Sequence, residues 1–102
     1  MKLWEILVPT MIGKDPVRTK YHKQWDEKVR AISGGLTILL PAKGHWISPG
    51  NKLFVERMIP VRMFSTKEQM EKIADITADH YKQEAIMYYA LSEEVVIKHY
   101  KQ

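Results

Sequence analysis

The stretch TILLPAKGHWISPGNKLFVERMIPVRMF, from Thr37 to Phe64, decides the fold. At its centre Ser48-Pro49-Gly50-Asn51 has the composition of a type II turn, in which proline fixes φ and glycine accepts positive φ. The flanking arms read as strands, Leu36–Pro41 continuing into the hairpin and Leu53–Phe64 returning from it. Setting Ser48 opposite Asn51 pairs Leu36 with Met63, Ile38 with Val61 and Leu40 with Ile59. These pairs form one continuous apolar face. The same register pairs Lys43 with Glu56 and Trp46 with Leu53. Pro60 falls mid-strand, where its missing N–H weakens a ladder. This predicts either a bulge near Pro60 or a less central strand.

Upstream, Trp4, Ile6 and Val8 alternate with Leu3, Glu5 and Leu7. That is strand periodicity, and the apolar content of both faces places this strand in the middle of a sheet or under a partner. The N-terminal stretch is accordingly read as a strand and not as a signal peptide. Asp15-Pro16 has the form of an N-cap with proline at the first helical position. Val17, Tyr21, Trp25, Lys28, Val29 and Ile32 follow at helical spacing, and Gly34 is placed to end the helix. Downstream, Ser65 with Glu68 reads as a capping box. Met70, Ile73, Ala74, Thr77 and Tyr81 then form the inner stripe of a second helix. Ala85–Leu91 is predicted as a fourth strand. The closing SEEVVIKHY suits a short fifth strand, with a helix start as the alternative.

The order strand, helix, strand, strand, helix, strand over 102 residues predicts one α+β domain of ferredoxin-like β-α-β-β-α-β type. Its antiparallel sheet has the first and third strands central and two helices on one face. The other face then carries Leu3, Leu7, Leu39, Met58, Met87 and Tyr89 without a helix layer. An apolar face of that kind predicts self-association.

Composition narrows the chemistry. The chain has no cysteine, which excludes disulfides, thiol nucleophiles and thiolate metal sites and suits the reducing cytoplasm expected for it. No apolar run approaches the ~20 residues that span a bilayer. Net charge is +4, with Lys14–Arg30 mainly basic and Lys67–Glu84 mainly acidic. Solvated helix faces are the simpler reading, and nucleic-acid binding is not expected because the open sheet lacks the aromatic motif of an RNA-recognition sheet. His22, His45, His80 and His99 are scattered, so neither a metal nor another cofactor is expected. Phosphate-loop, dinucleotide and serine-hydrolase patterns are absent.

The hairpin carries the remaining candidates. In the trial register Glu56, Lys43, His45 and Phe54 share the open face, and Trp46 points towards the helices. Glu56 is then either one member of a cross-strand ion pair with Lys43 or a carboxylate available to a bound cation under a subunit interface. Trp46 reads as a core residue unless a bulge near Gly44 brings it to the side of Glu56.

From Gly34 to Met87 the sequence resembles a family of small bacterial ferredoxin-like domains of unknown function. Gly35, Leu36, Thr37, Gly44, Trp46, Leu53, Glu56, Tyr81, Lys82 and Glu84 carry that resemblance. More distantly, the layout is similar to bacteriophage enzymes that degrade S-adenosylmethionine. That likeness implies a trimer with an adenosyl substrate bound between subunits. It also implies a hairpin pairing an aromatic with a glutamate: Trp46 where those enzymes have tyrosine, and Glu56, whose place Arg57 takes if the alignment moves by one residue. On this reading Glu56 is the candidate catalytic group. Trp46, His45, Lys43 and Arg57 are candidate substrate contacts. The implied activity is a lyase forming methylthioadenosine and homoserine lactone; a non-catalytic oligomeric module is the alternative.

Overall fold

The computed structural model describes residues 1–101. Strand β1 (Lys2–Pro9) leads into a small two-stranded ribbon, β2 (Met11–Ile12) with β3 (Asp15–Pro16), and then helix α1 (Thr19–Ser33). Next come β4 (Thr37–Ile38), β5 (Ala42–Ile47), β6 (Leu53–Ser65), helix α2 (Lys67–Tyr81) and β7 (Tyr88–Ser92). The main sheet runs β4-β6-β1-β7, with β5 continuing the β4 edge along β6, and every pairing is antiparallel. Taking β4 and β5 as one interrupted strand, this is the expected α+β ferredoxin-like arrangement with the first and third strands central.

The core forms where one face of the sheet meets the two helices. Trp4, Ile6 and Val8 of β1 and Val61 and Met63 of β6 pack with Trp25 and Val29 of α1 and Met70, Ile73 and Tyr81 of α2. The alternation in β1 is therefore real: its even positions are core, apart from the terminal Lys2. Buried polar groups in this layer find partners. Trp25 Nε1 donates to Thr77 Oγ1 at 2.9 Å, and Thr77 Oγ1 donates to the Ile73 carbonyl at 2.6 Å.

Five local expectations are corrected. Asp15-Pro16 does not open α1. It pairs with Met11–Ile12 across Gly13, whose φ of 61° costs glycine little, and the helix starts after Arg18. Gly34 does end it, at φ 84°. Secondly, the capping box lies one residue on. Thr66 and Gln69 exchange the two bonds, because Ser65 is still paired with Lys2 as the last residue of β6. Thirdly, the hairpin turn places positive φ at Asn51 (61°) and not at Gly50. Asn51 N–H bonds the Ser48 carbonyl and Ser48 N–H the Lys52 carbonyl, each at 2.9 Å, the pattern of a type I turn closed by a left-handed residue. Fourthly, β7 begins at Tyr88, after irregular backbone from Ala85 to Met87. Fifthly, the tail from Glu93 to Lys101 contains no strand.

The register supplies the sixth and largest correction. Ile38 does face Val61, as expected. Beyond it, Ala42 faces Met58, so three residues (Leu39, Leu40, Pro41) oppose two (Pro60, Ile59). The irregularity anticipated near Pro60 exists, but on the neighbouring strand. Leu39 N–H bonds the Pro60 carbonyl at 2.9 Å, Pro41 has no N–H to give, and Leu40 swings out to 87% exposure. Leu40 therefore does not pair with Ile59, and Leu36 lies outside the ladder although it packs on the core.

The open face of the sheet is less uniformly apolar than its sequence suggests. Glu5, Arg62 and Tyr89 lie side by side on β1, β6 and β7. Arg62 Nε donates to Glu5 Oε1 at 2.9 Å and the Tyr89 hydroxyl donates to Glu5 Oε2. Glu5 is 7% exposed. Burial alone would raise its pKa, but the bonds from Tyr89 and Arg62 and the Arg62 charge outweigh it, and the carboxyl titrates below its ordinary value.

Candidate functional site

Because β1 ends with Pro9 opposite Met58, the β6 edge from Leu53 to Arg57 has no strand partner on that side. Its other edge pairs with β5, and the two form a two-stranded arm. A cleft of about 490 Å³ opens where the arm leaves the sheet. That volume is in the range of small-molecule sites. Val55, Glu56, Arg57 and Met58 form one wall; Pro9, Thr10, Met11 and Gly13 form another; Gln83 closes it from the end of α2. Thr10 Oγ1 donates to the Arg57 carbonyl at 2.8 Å, tying the exit of β1 to the arm.

The extra residue at Leu39–Pro41 rearranges the hairpin candidates. Gly44 faces Glu56, Lys43 faces Arg57, His45 faces Val55 and Trp46 faces Phe54. Lys43 is therefore not opposite Glu56, and the ion pair of the trial register does not form. With only glycine across from it, Glu56 has no ion-pair or hydrogen-bonding partner among the described residues. Lys43 and His45 alternate onto the side of Val55 and Arg57, away from Glu56. Trp46 moves the other way. It is not a core residue and does not face Leu53; it is 47% exposed and its ring stacks on Phe54 at 4.5 Å and 13°. It thus shares a strand face with Glu56, through a bulge at Leu39–Pro41 and not at Gly44. Of the five candidates, Glu56 and Arg57 line the cleft, Trp46 is their neighbour along the arm, and His45 and Lys43 are exposed outside it.

Sequence reasoning did not single out Thr10 or Gln83. Thr10 enters because β1 stops one residue earlier, which no local pattern announces. Gln83 lies inside the YKQE segment that carried part of the family resemblance, but its side chain had no assigned role.

A second polar cluster lies in the seam between α1 and α2. His80, 5% exposed, donates from Nε2 to the Tyr21 carbonyl at 2.8 Å. Its Nδ1 is then the acceptor for the Lys28 ammonium at 3.2 Å. The Tyr21 hydroxyl donates back to the His80 carbonyl, and the two rings stack at 4.0 Å. His22 Nδ1 meets the Tyr81 hydroxyl at 2.7 Å. Burial, then the nearby His80, lowers the His22 pKa; burial raises that of Tyr81. Among the described residues no group of three or more His, Cys, Asp or Glu side chains is gathered as metal ligands. No helix of the described chain is long and apolar enough to cross a membrane.

No family model matches the sequence, and no curated protein matches it. Solved structures do share its fold. The periplasmic divalent cation tolerance protein CutA from Archaeoglobus fulgidus is 11% identical at a TM-score of 0.68, covering 95% of this chain and 87% of that one. The divalent cation tolerance protein Cut A1 from Thermus thermophilus is 10% identical at 0.69, covering 93% and 86%. A phage S-adenosylmethionine lyase in complex with S-methyl-5'-thioadenosine is 14% identical at 0.60, covering 93% and 92%. At these identities the likeness is one of fold.

Proposed function

We propose that this chain is a self-associating small-ligand protein whose site is the cleft at the base of the arm, and that its ligand is S-adenosylmethionine, which it cleaves as a lyase. The observation that carries this reading is that Glu56, whose carboxylate has no partner among the described residues, lines a ligand-sized cleft, and that Arg57, from the other face of β6, lines it too. The fold shared with a phage lyase that holds methylthioadenosine supports the choice of ligand.

The chemistry asks little of the protein. The substrate's own carboxylate attacks its γ-carbon, a C–O bond forms, the C–S bond breaks, and the sulfonium leaves as neutral methylthioadenosine. Homoserine lactone is the other product, and no external proton or metal is required. What remains is to hold the curled substrate and keep water out. Glu56 would attract the cationic centre, an effect strengthened when a second copy covers the exposed arm. Trp46 on the same strand face offers a ring to a sulfonium or a base. Self-association, as a trimer by analogy with the lyase layout, would bury the arm. In solution, Glu56→Gln abolishes methylthioadenosine release, read by chromatography, and leaves the oligomer size unchanged. An unmodified protein that releases none at any enzyme concentration sinks the lyase reading.

A non-catalytic module is the second reading. Trp46, Ile47, Leu53 and Val55 are 47–67% exposed on the arm, which favours a role in association alone. Oligomers that neither bind nor turn over adenosyl compounds would establish it.

A further inference from the structure

Gln83 is held more firmly than a residue just past a helix end usually is. Helix α2 closes with Lys82 in the left-handed region at φ 54°, and the Gln83 N–H bonds the Ala78 carbonyl at 2.9 Å. The side chain is tied as well. Its Nε2 donates to the Tyr81 carbonyl at 3.0 Å. Tyr81 is fully buried, packed against Trp25 and Tyr21, with its hydroxyl on His22. A carbonyl can only accept, so the orientation of the Gln83 amide is determined: nitrogen towards Tyr81, Oε1 left over. Oε1 has no hydrogen bond among the described residues. Gln83 lines the same cleft as Glu56.

The rest of the lining favours a flat ring. Met11 and Met58 bring thioethers, which pack well on aromatic edges, and Pro9 and Val55 add apolar wall. An acceptor oxygen held in the lining of this mixed polar and apolar cleft selects a ring bearing an N–H donor. Resting on the proposed adenosyl ligand, we infer that Gln83 Oε1 accepts the 6-amino group of the purine and is the residue that distinguishes adenine from a 6-oxopurine. The 6-oxo group would set acceptor against acceptor and leave Oε1 unsatisfied.

The test is calorimetric titration of the full chain with S-methyl-5'-thioadenosine and with its 6-oxo counterpart, S-methyl-5'-thioinosine. The unmodified protein binds the amino compound ~10-fold or more tighter. Gln83→Leu removes that preference, both compounds binding with similar, weaker affinity. Gln83→Met, unbranched and close in length, takes its place if the leucine variant melts early. If the unmodified protein binds both compounds equally, or if the variant keeps both affinity and preference, the role of Gln83 is overturned and the purine site stands. Binding of neither compound by the unmodified protein overturns the adenosyl reading and this inference together.

Discussion

Trp25 and Trp46 lie in regions that solve the problem of an aromatic ring in opposite ways. Trp25 is 2% exposed between the two helices, with its indole N–H on Thr77. Trp46 is half exposed on an arm two strands wide, stacked on Phe54 and on nothing from the helices. The helix-covered half of the sheet is complete within one chain. The arm has no helix layer of its own: an isolated two-stranded ribbon is marginal in water, and this one leaves apolar side chains exposed. Function is proposed at the junction, where the self-sufficient half supplies rigid walls and the arm supplies an unpaired carboxylate.

The sharpest way to break the comparison is to truncate both rings. Trp25→Ala is expected to cost about 3–5 kcal/mol in urea unfolding, by cavity formation and loss of the Thr77 bond. Trp46→Ala should shift the monomer's stability by no more than about 0.5 kcal/mol. Sedimentation should instead show it weakening self-association. Equal stability losses would mean the arm belongs to the core.

A smaller effect is expected on the open face. Arg62→Met removes one of the two groups that hold the Glu5 carboxylate and should cost about 1–2 kcal/mol at neutral pH. That is less than for a fully buried pair, because the guanidinium is half in solvent. The folded pKa of Glu5 is depressed, so this stabilisation is present above the ordinary value of 4.5 and is lost as pH falls through the folded value. The variant's unfolding free energy should therefore fall less between pH 6 and pH 3 than that of the unmodified protein.

The smallest effect belongs to the helix seam. His22 is also depressed, from 6.5, with Tyr81 and His80 facing it from α2 and Tyr21, Asp26 and Lys28 nearby on α1. Its contribution is complete above pH 6.5 and is lost as pH falls through the folded value, because the unfolded chain takes up the proton first. His22→Gln should flatten the fall in melting temperature between pH 7 and pH 5. An unchanged slope would mean that His22 does not carry the acid sensitivity.

Legibility followed the range of the interactions involved. The α2 stripe and the helix stop at Gly34 were readable because period and backbone preference are local. The caps moved by one and three residues where a strand kept hold of its last residue, as Ser65 does, or a ribbon claimed the cap, as with Asp15-Pro16. The candidate cleft was half readable. Glu56 and Arg57, named from the sequence, line it, while His45 and Lys43 were put on the wrong strand face by a single extra residue at Leu40. In a strand, one residue exchanges the two faces.

Sequence alone was enough for the order of the two helices and the main strands, the central place of β1 and β6, and the position of the turn that makes the arm. These depend on periodicities of two and 3.6 and on the backbone preferences of proline, asparagine and glycine, which each stretch carries in itself. The face of Trp46, the residue opposite Glu56 and the presence of Thr10 and Gln83 in the cleft were set by the folded chain as a whole. Those depend on where β1 stops against β6 and on one residue pushed out opposite Pro60, both set by pairing between segments far apart in the chain.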